Sequence, residues 1–401
     1  VSFDRYNLRS NLDMKINNDI TFKVDIAGRI EHRLQPGVTP GAADPSASTD
    51  NGGATMGYKN IIYYAIAATP VVNPRMPDGT YIGYNNPLIA RDESGFSDRK
   101  TKSVQTSMSL VYDASKWMKG LRLTTLFGYD FSNSFFKELL LPCEQITPQY
   151  GTGLGVGSVL QMTPGFSPHL SSGINELTDA SSYFSRYTFQ AIANYNRKFD
   201  KNDVGLDLVW EQSGSYANSF GASKQNLPIT KIPDLNFGTE VVPNSVYGSH
   251  SQGGRSGFVS RINYAYMDKY MVQFSGRADW SPKFSPQNRL GIFPALSLGY
   301  RISEESFIKN NAAFSFINNL KIRGSWGVLG NDAISDFMYL QGIGLTTSST
   351  SVIGDTGRPS LYSTAVPNRD ITWETTTTYN GGFEGTLWNG LLSFELDGFY
   401  K

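Results

Sequence analysis

Cys143 is the single cysteine among 401 residues, so the chain can form no internal disulfide. No segment approaches the roughly 18 consecutive apolar residues that a transmembrane helix requires. The longest apolar-leaning stretch, Ile61–Val72, is short and is interrupted by Thr69 and Pro70. These absences exclude a small disulfide-stapled domain and a bundle of membrane helices.

Charged side chains are also scarce. They make up 17% of the chain, below the roughly 25% of an average soluble protein. The 35 basic and 35 acidic residues give a formal net charge of zero. No basic surface is therefore expected, and nucleic acid is excluded as a partner.

Residues that carry chemistry do not cluster in the sequence. His32, His169 and His250 lack the spacing of metal ligands. The glycine-rich stretch Gly151–Gly157 has no following Lys-Ser/Thr, and we interpret it as a loop tip rather than a phosphate-binding loop. No nucleophile elbow or metalloprotease motif occurs. The sequence therefore predicts no enzyme, no metal and no cofactor.

Aromatic residues, at 13%, and glycine, at 40 residues, are abundant, as expected for a long all-β chain. Alternation of apolar and polar residues predicts twelve strands. They lie near 5–16, 20–32, 104–112, 121–132, 183–199, 204–216, 256–267, 270–280, 291–302, 320–329, 371–387 and 391–401.

Short and long links alternate between these strands. The short links are Asn17–Asp19, Asp113–Gly120, Asp200–Asp203, Asp268–Lys269 and Trp388–Gly390, and the long ones are about 33–103, 133–182, 217–255, 281–290 and 330–370. Ser303–Asn319 breaks the rule, and Glu304 and Glu305 in it predict a short helix. Outer-membrane barrels have short turns at the periplasmic end and long loops at the extracellular end. We therefore predict an antiparallel transmembrane β-barrel.

The segment 270–280 shows the alternation best. Tyr270, Val272, Phe274, Gly276, Ala278 and Trp280 share one face, and the other face carries Gln273, Arg277 and Asp279. An arginine on the lipid face would cost about 2–4 kcal/mol at the bilayer midplane. The sequence therefore predicts that Gln273, Arg277 and Asp279 face the lumen.

Other segments repeat this division. Lys321 and Arg323 oppose Leu320, Ile322, Trp326 and Val328, and are likewise predicted to face the lumen. Two further sets follow the pattern: Tyr187, Phe189, Ala191, Ala193 and Tyr195 oppose Thr188, Gln190, Asn194 and Asn196, while Leu392, Phe394, Leu396 and Tyr400 oppose Ser393, Glu395 and Asp397. A soluble antiparallel sheet with one wet face would also alternate, and it remains the alternative on pattern alone.

The stretch 253–331 resembles a known family in its motifs. They are Gly257-Phe-Val-Ser-Arg-Ile-Asn-Tyr-Ala-Tyr-Met-Asp-Lys-Tyr270, Arg277-Ala278-Asp279, Phe293-Pro294-Ala295, Gly299-Tyr300-Arg301-Ile302, Leu320-Lys-Ile-Arg-Gly-Ser-Trp-Gly327 and Gly330-Asn331. In this order they resemble the barrel of SusC/RagA-like TonB-dependent outer-membrane transporters of Bacteroidota. Arg9-Ser10-Asn11-Leu12-Asp13, Trp373-Glu374 and Asn380-Gly381-Gly382 extend the resemblance over nearly the whole chain.

The resemblance implies an outer-membrane importer of oligosaccharides or oligopeptides that is energised through TonB. A SusD-like surface lipoprotein would be its partner, and outer-membrane lipid would surround it. Residues 1–401 would then be one part of a barrel of about 22 strands. The plug, the TonB-contacting segment and the N-terminal extension are expected outside this chain.

Aromatic residues in the predicted long loops are candidates for stacking on a ligand, since a tyrosine ring combines apolar area with a polar tip. The candidates are Tyr63, Tyr64, Tyr81, Tyr84, Tyr150, Tyr247 and Tyr339, with Phe96, Phe166 and Tyr362 in the same loops. The other interpretation is that these rings pack the loops together or form the aromatic girdle.

Other functions remain open at this stage. A siderophore or haem receptor of the TonB-dependent type would need no lipoprotein partner. An outer-membrane adhesin or barrel enzyme would show an acid–base cluster on the outer rim, and none is visible in the sequence. A soluble carbohydrate-binding β-protein is the fourth possibility.

Overall fold

The structure is a computed structural model of the chain. It describes residues 1–37, 65–66, 73–82, 86–150, 159–166, 173–243, 245–346, 351–353, 356–358 and 360–401.

Twelve long strands in this described part form one antiparallel sheet. They are β1 (Ser2–Lys15), β2 (Ile20–Pro36), β3 (Gly95–Asp113), β4 (Leu121–Leu140), β5 (Glu176–Phe199), β6 (Asn202–Gln225), β7 (Tyr247–Tyr266), β8 (Tyr270–Trp280), β9 (Leu290–Arg301), β10 (Ile317–Asn331), β11 (Glu374–Leu387) and β12 (Leu392–Tyr400). Each strand pairs with the next along the chain, and the short strand Glu240–Val241 pairs with β6. All twelve predicted strands are confirmed.

Several strands extend further toward the long links than predicted. β3 begins at Gly95 and β4 ends at Leu140, against predicted limits of 104 and 132. The ladder between them is continuous from the Gly95–Leu140 pair to the Asp113–Arg122 pair. Polar residues interrupt the hydrophobic alternation in these extensions, so the pattern alone could not detect them.

The tight links have local causes. The Asn17 side chain accepts hydrogen bonds from the backbone N–H groups of Asp19 and Ile20, at 2.9 and 2.8 Å. Met267 and Asp268 have φ angles of 55° and 56°, and the Lys269 N–H donates to the Tyr266 carbonyl at 2.9 Å. Positive φ at both central residues is the signature of a type I′ turn, whose twist matches that of the flanking strands.

The long links carry small elements of their own. The strands Tyr81–Ile82, Glu144–Tyr150 and Val159–Phe166 form a three-stranded sheet, and α1 (Pro87–Asp92) precedes β3. Ile343–Leu345 pairs with Leu361–Ser363, and Ser351–Ile353 pairs with Thr356–Arg358. A 3₁₀ turn covers Leu235–Phe237. The links predicted to be long are long in the structure as well.

The link between β9 and β10 has the helix predicted after Ser303. It consists of a 3₁₀ turn at Ile302–Glu304, α2 (Ser306–Lys309) and a second 3₁₀ turn at Ala312–Phe314. Another 3₁₀ turn, Trp388–Gly390, joins β11 to β12.

Buried apolar side chains are few, and most of them lie in three small clusters. They centre on Tyr81, Ile89 and Cys143, on Leu139, Leu177 and Leu227, and on Phe284, Phe293 and Trp373. All three lie at the long-link end, so the middle of the sheet has no apolar core in the described residues. In the described part of the chain, β1 and β12 do not pair with each other, and the sheet is therefore open. No described helix has the length and hydropathy needed to cross a membrane.

Candidate functional site: the polar face and the long-link end

The two faces of the sheet differ in an unusual way, as β8 illustrates. Phe274 is 44% exposed on the apolar face, whereas Asp279 is 4% exposed on the opposite face. We call the side that carries Gln273, Arg277 and Asp279 the polar face, and the side that carries Phe274 the apolar face. In a soluble sheet the apolar face would be the buried one, so the polar face is the sheltered side of this wall.

Arg277 and Asp279 belong to a network of charged side chains on the polar face. The Arg277 Nε donates to Asp279 Oδ2 at 2.6 Å, and its Nη2 lies 3.9 Å from Glu211 Oε1. Gln190 Nε2 donates to the second oxygen of Glu211 at 2.5 Å. A Cβ on Gly257 would lie 2.5 Å from Asp279 Oδ1, so the glycine makes room for the carboxylate.

Lys321 and Arg323 form a second network two strands further along. Lys321 Nζ lies 3.1 Å from Glu384 Oε1. Arg323 Nη2 donates to Asp397 Oδ2 at 2.6 Å and also to Glu395, and its Nη1 lies 3.9 Å from Glu384. One guanidinium therefore bridges β10 to carboxylates of β11 and β12.

A third set of polar contacts joins β5, β6 and β7. Asp207 accepts a hydrogen bond from Asn194 Nδ2 at 2.7 Å and another from Arg261 Nε at 2.9 Å. Sequence reasoning missed Asp207, Glu211 and Glu384. Alternation along the predicted strands 204–216 and 371–387 could have found them, because they occupy the same phase as the polar residues of the neighbouring strands.

A groove of about 500 Å³ runs along this wall where the side chains are small. Gly205, Ser297 and Gly299 are among its lining residues. Its polar lining includes Asn196, Asp203, Asn263, Gln273, Lys321 and Arg323. Three of the five residues predicted to face the lumen thus line one groove, rich in amides and charges that can hydrogen-bond a polar solute.

An aromatic cluster closes the same face at the long-link end. The Trp373 ring centroid lies 5.3 Å from that of Phe284 and 5.2 Å from that of Phe293, and Trp373 Nε1 donates to the Arg289 carbonyl at 3.2 Å. Trp373 was predicted to lie in a strand, but β11 begins one residue later. The strand prediction failed there because a buried tryptophan in a loop and one in a strand give the same local pattern.

Val328 also departs from its predicted position on the apolar face. It packs against the cluster of Phe284, Phe293 and Trp373. The pairing of β9 with β10 has already ended at Ala295 and Gly327, whereas the pairing of β10 with β11 continues to Asn331 and Glu374. Arg255 joins the cluster, with its guanidinium 5.7 Å from the Trp373 ring and 2.8 Å from Asp332.

Tyr81 is buried rather than offered to a ligand. It is 8% exposed, its hydroxyl donates to Glu93 Oε1 at 3.0 Å, and the Arg75 guanidinium lies 4.3 Å from its ring centroid. Burial is the main cause that raises the pKa of Tyr81, and burial also raises the pKa of the adjacent Cys143 to about 11. The ring therefore stabilises the loop, which is the packing interpretation offered above.

The other candidate tyrosines are less informative. The half-buried Tyr247 ring lies over Gly221, and the half-buried Tyr339 lies 6.3 Å from the Phe337 ring. Phe96 packs against the Leu139 cluster, and Tyr362 is exposed. Tyr63, Tyr64 and Tyr84 lie outside the described residues, as do the side chains of Tyr150 and Phe166. Ligand binding by these residues stays a prediction.

The described residues contain no cluster of His, Cys, Asp and Glu suited to a metal ion. His32 Nε2 lies 2.8 Å from Asp98 Oδ1, a hydrogen-bonding contact between β2 and β3.

Residues 27–401 match the family model described as TonB dependent receptor-like, beta-barrel. The chain belongs to this family. Its members are receptors of the outer membrane, not enzymes, so the barrel prediction and the outer-membrane location are confirmed, and the soluble alternative is wrong.

Individual relatives agree with this membership. The TonB-dependent receptor SusC of Bacteroides thetaiotaomicron is 28% identical over 228 residues, covering 56% of this chain and 22% of SusC. The TonB-dependent receptor P39 of Formosa agariphila is 25% identical over 410 residues, covering 100% of this chain and 34% of P39. The chain thus spans about a third or less of the length of these relatives.

A solved structure has the same fold. The RagAB peptide transporter matches with a TM-score of 0.72 at 20% identity, and the match covers 99% of this chain and 40% of that chain. At this identity the similarity establishes the fold alone. The chain therefore shares the fold of the barrel wall of this transporter, and the barrel fold that the sequence motifs predicted is confirmed.

Proposed function

We propose that the chain forms part of the wall of an outer-membrane importer of oligosaccharides or oligopeptides. Energy would come through TonB, and a SusD-like surface lipoprotein would assist in capturing the solute. Family membership and the sheltered polar face support this proposal. A wall with charges and amides on one side and apolar side chains on the other suits a polar path through a membrane.

The polar face gives the main support for this proposal. Several of its charged groups are paired with one another, as in the contacts of Arg277 with Asp279 and of Arg323 with Asp397. A paired wall is hydrated without holding one unbalanced charge that would trap an ionic solute. We therefore propose that Gln273, Arg277, Asp279, Lys321 and Arg323 line the lumen, and that the groove offers hydrogen bonds to a neutral polar chain.

The open sheet supports a larger assembly. Strand edges are not tolerated in hydrocarbon, because each unpaired backbone group there costs several kcal/mol. In the described structure the outer edges of β1 and β12 have no partner strand. We propose that these twelve strands are one portion of a larger barrel, with residues 1–401 in a single barrel domain and the plug supplied elsewhere.

Names of relatives bear on the solute. SusC is named a TonB-dependent receptor, and the RagAB structure is described as a peptide transporter. The name of SusC gives no cargo, and the peptide named for RagAB does not transfer to this chain at 20% identity, so both a glycan and a peptide are proposed as cargo classes. Loop tyrosines such as Tyr247 and Tyr339 are proposed to contact it near the long-link end.

Uptake by the full-length protein tests the proposal. A strain lacking the gene should fail to accumulate labelled oligosaccharide or oligopeptide, and the full-length gene should restore accumulation. Dissipating the proton-motive force should abolish accumulation while leaving surface binding intact. Lys321→Glu with Arg323→Glu should impair uptake, whereas Gly381→Ala on the apolar face should not, since a Cβ at Gly381 meets no atom within 4 Å.

Two outcomes would redirect the assignment. Normal growth on every oligosaccharide and oligopeptide, together with failure under iron limitation, would identify a siderophore or haem receptor instead. Purification from native membranes in mild detergent should recover a SusD-like lipoprotein, and its absence would count against the paired form of the importer.

A further inference from the structure

The link between β9 and β10 folds back onto the apolar face. The Glu305 carboxylate attaches the link to this face. Its Oε1 accepts hydrogen bonds from the hydroxyls of Tyr270 at 2.8 Å and Tyr300 at 3.2 Å. Lys269 Nζ lies 3.4 Å from the second oxygen of Glu305. The hydrogen bond from Tyr270 is the main cause that lowers the pKa of Glu305. The link is thus fastened at its start.

The two tyrosines that hold Glu305 belong to the apolar face. Their rings stack at 5.2 Å with planes 7° apart, and Tyr270 has the same phase as Val272 and Phe274. Since β8 has 11 residues, and a tilted transmembrane strand needs about 9–11, the Tyr270 end of β8 lies at one membrane interface. Glu305 therefore lies at the headgroup level and on the lipid side of the wall.

Apolar side chains of the link remain uncovered there. Phe307 is 61% exposed, while its neighbour Ile308 is 8% exposed. Phe314 and Phe316 are also exposed, and Phe316 stacks on Trp388 of the neighbouring link at 5.7 Å. Large aromatic groups at a strand end partition into the interface between water and hydrocarbon.

We propose that the segment Ile302–Phe316 is a membrane-surface anchor whose Phe307, Phe314 and Phe316 contact phospholipid of the periplasmic leaflet. The occupant is lipid because Glu305 fastens the start of this segment to Tyr270 and Tyr300, which belong to the exposed apolar face. The charges of the segment suit the same place, since Lys309 pairs with Glu304 at 2.6 Å and leaves little net charge to repel or attract.

Spin labels on the full-length protein in phospholipid nanodiscs test the anchor, with Cys143→Ser as the background. Phe307→Cys is the test site, Val272→Cys marks the lipid-facing strand, and Asn310→Cys is an exposed polar control in the same link. Power saturation compares accessibility to oxygen, which enriches in lipid, with accessibility to a water-soluble nickel chelate. The oxygen-to-nickel ratio at position 307 should approach that at 272 and exceed that at 310 several-fold.

Substitutions of Glu305, which attaches the segment to Tyr270 and Tyr300, provide a second measurement. Glu305→Ala should lower the ratio at position 307 toward that at 310, while Glu305→Gln keeps an acceptor for the tyrosines and should preserve it. Heat-dependent migration on a denaturing gel checks that each variant remains folded.

A ratio at 307 equal to that at 310, with 272 still in lipid, would overturn the anchor, since the segment would then lie in water. Exclusion of both reagents at 307 would overturn it too, in favour of a protein contact. Nickel access at 272 would refute the membrane orientation of the whole apolar face, and the anchor with it.

Discussion

The two faces of this sheet differ in charge and in exposure. In a soluble sheet the apolar face is buried and the charged face is exposed, and here the reverse holds. On β8 both charged residues, Arg277 and Asp279, lie on the polar face, and the more exposed face is the one that carries Val272 and Phe274. Lipid rather than water covers that apolar face, because a large continuous apolar surface is rare on soluble monomers. The exposed apolar side chains of this open sheet therefore mark the side that lipid covers.

The polar face differs again in how its groups are satisfied. Arg277, Asp279 and Glu211 form one network, and the apolar face of β8 relies on ring stacking such as that of Tyr270 on Tyr300. Charged networks hold their geometry through directional hydrogen bonds, whereas the apolar face needs only to present area. The same substitution should therefore change stability by different amounts on the two faces.

The largest contrast is expected from one arginine placed on each side. Phe274→Arg puts a charge near the middle of β8 on the apolar face, and should lower the free energy of unfolding by about 2–4 kcal/mol. The measurement is denaturant unfolding of the full-length protein in phospholipid vesicles.

Gln273→Arg, one residue away on the polar face, is the matched control. Gln273 lines the polar groove, where a new guanidinium stays in contact with water, so the change should stay within about 0.5 kcal/mol. Phe274→Ala separates loss of the ring from gain of the charge. Equal destabilisation by the two arginines would refute the assignment of the faces.

Most of the wall could be predicted from the sequence because its rule is local. A strand with a period of two records its own orientation, so β8 and the phase of Arg277 relative to Phe274 were correct. Tight links such as Asn17–Asp19 were equally visible. The strand ends near Gly95 and Leu140 were not, because backbone pairing can continue where side-chain alternation stops.

The candidate site was predicted less completely. Arg277 was assigned to a face, but its partner Glu211 lies on a strand 66 residues away, and only the register of the sheet brings them together. Trp373 gave no signal for its cluster with Phe284 and Phe293, since such contacts depend on how long links fold over the wall. Loop packing depends on contacts between residues far apart in the sequence, and the alternation of apolar and polar residues does not reveal such contacts.

The second expected effect concerns a charge removed from the polar face. Arg277→Met leaves Asp279, which is almost fully buried, without its 2.6 Å partner. Losing a partner from a buried pair costs about 3–5 kcal/mol, but the Arg277 side chain is 39% exposed, so solvent screening reduces the expected loss to about 2 kcal/mol. Arg277→Lys keeps the charge and should lose less. Unfolding in low and high salt is the check, and a loss that vanished entirely in salt would place Asp279 in bulk water.

The smallest expected effect compares two glycines. Gly257→Ala on the polar face places a Cβ 2.5 Å from Asp279 Oδ1 and 3.3 Å from Arg277 Nη2, so the ion pair must shift. Overpacking typically costs about 1–3 kcal/mol, and the short carboxylate can move slightly, so about 1 kcal/mol is expected. Gly381→Ala on the apolar face meets no atom within 4 Å and should be neutral or slightly stabilising, because alanine restricts the unfolded chain. Unfolding midpoints of both variants in the same vesicles measure the difference. A Gly257→Ala variant as stable as Gly381→Ala would mean that the polar face is loosely packed, and that its charges are held by water rather than by one another.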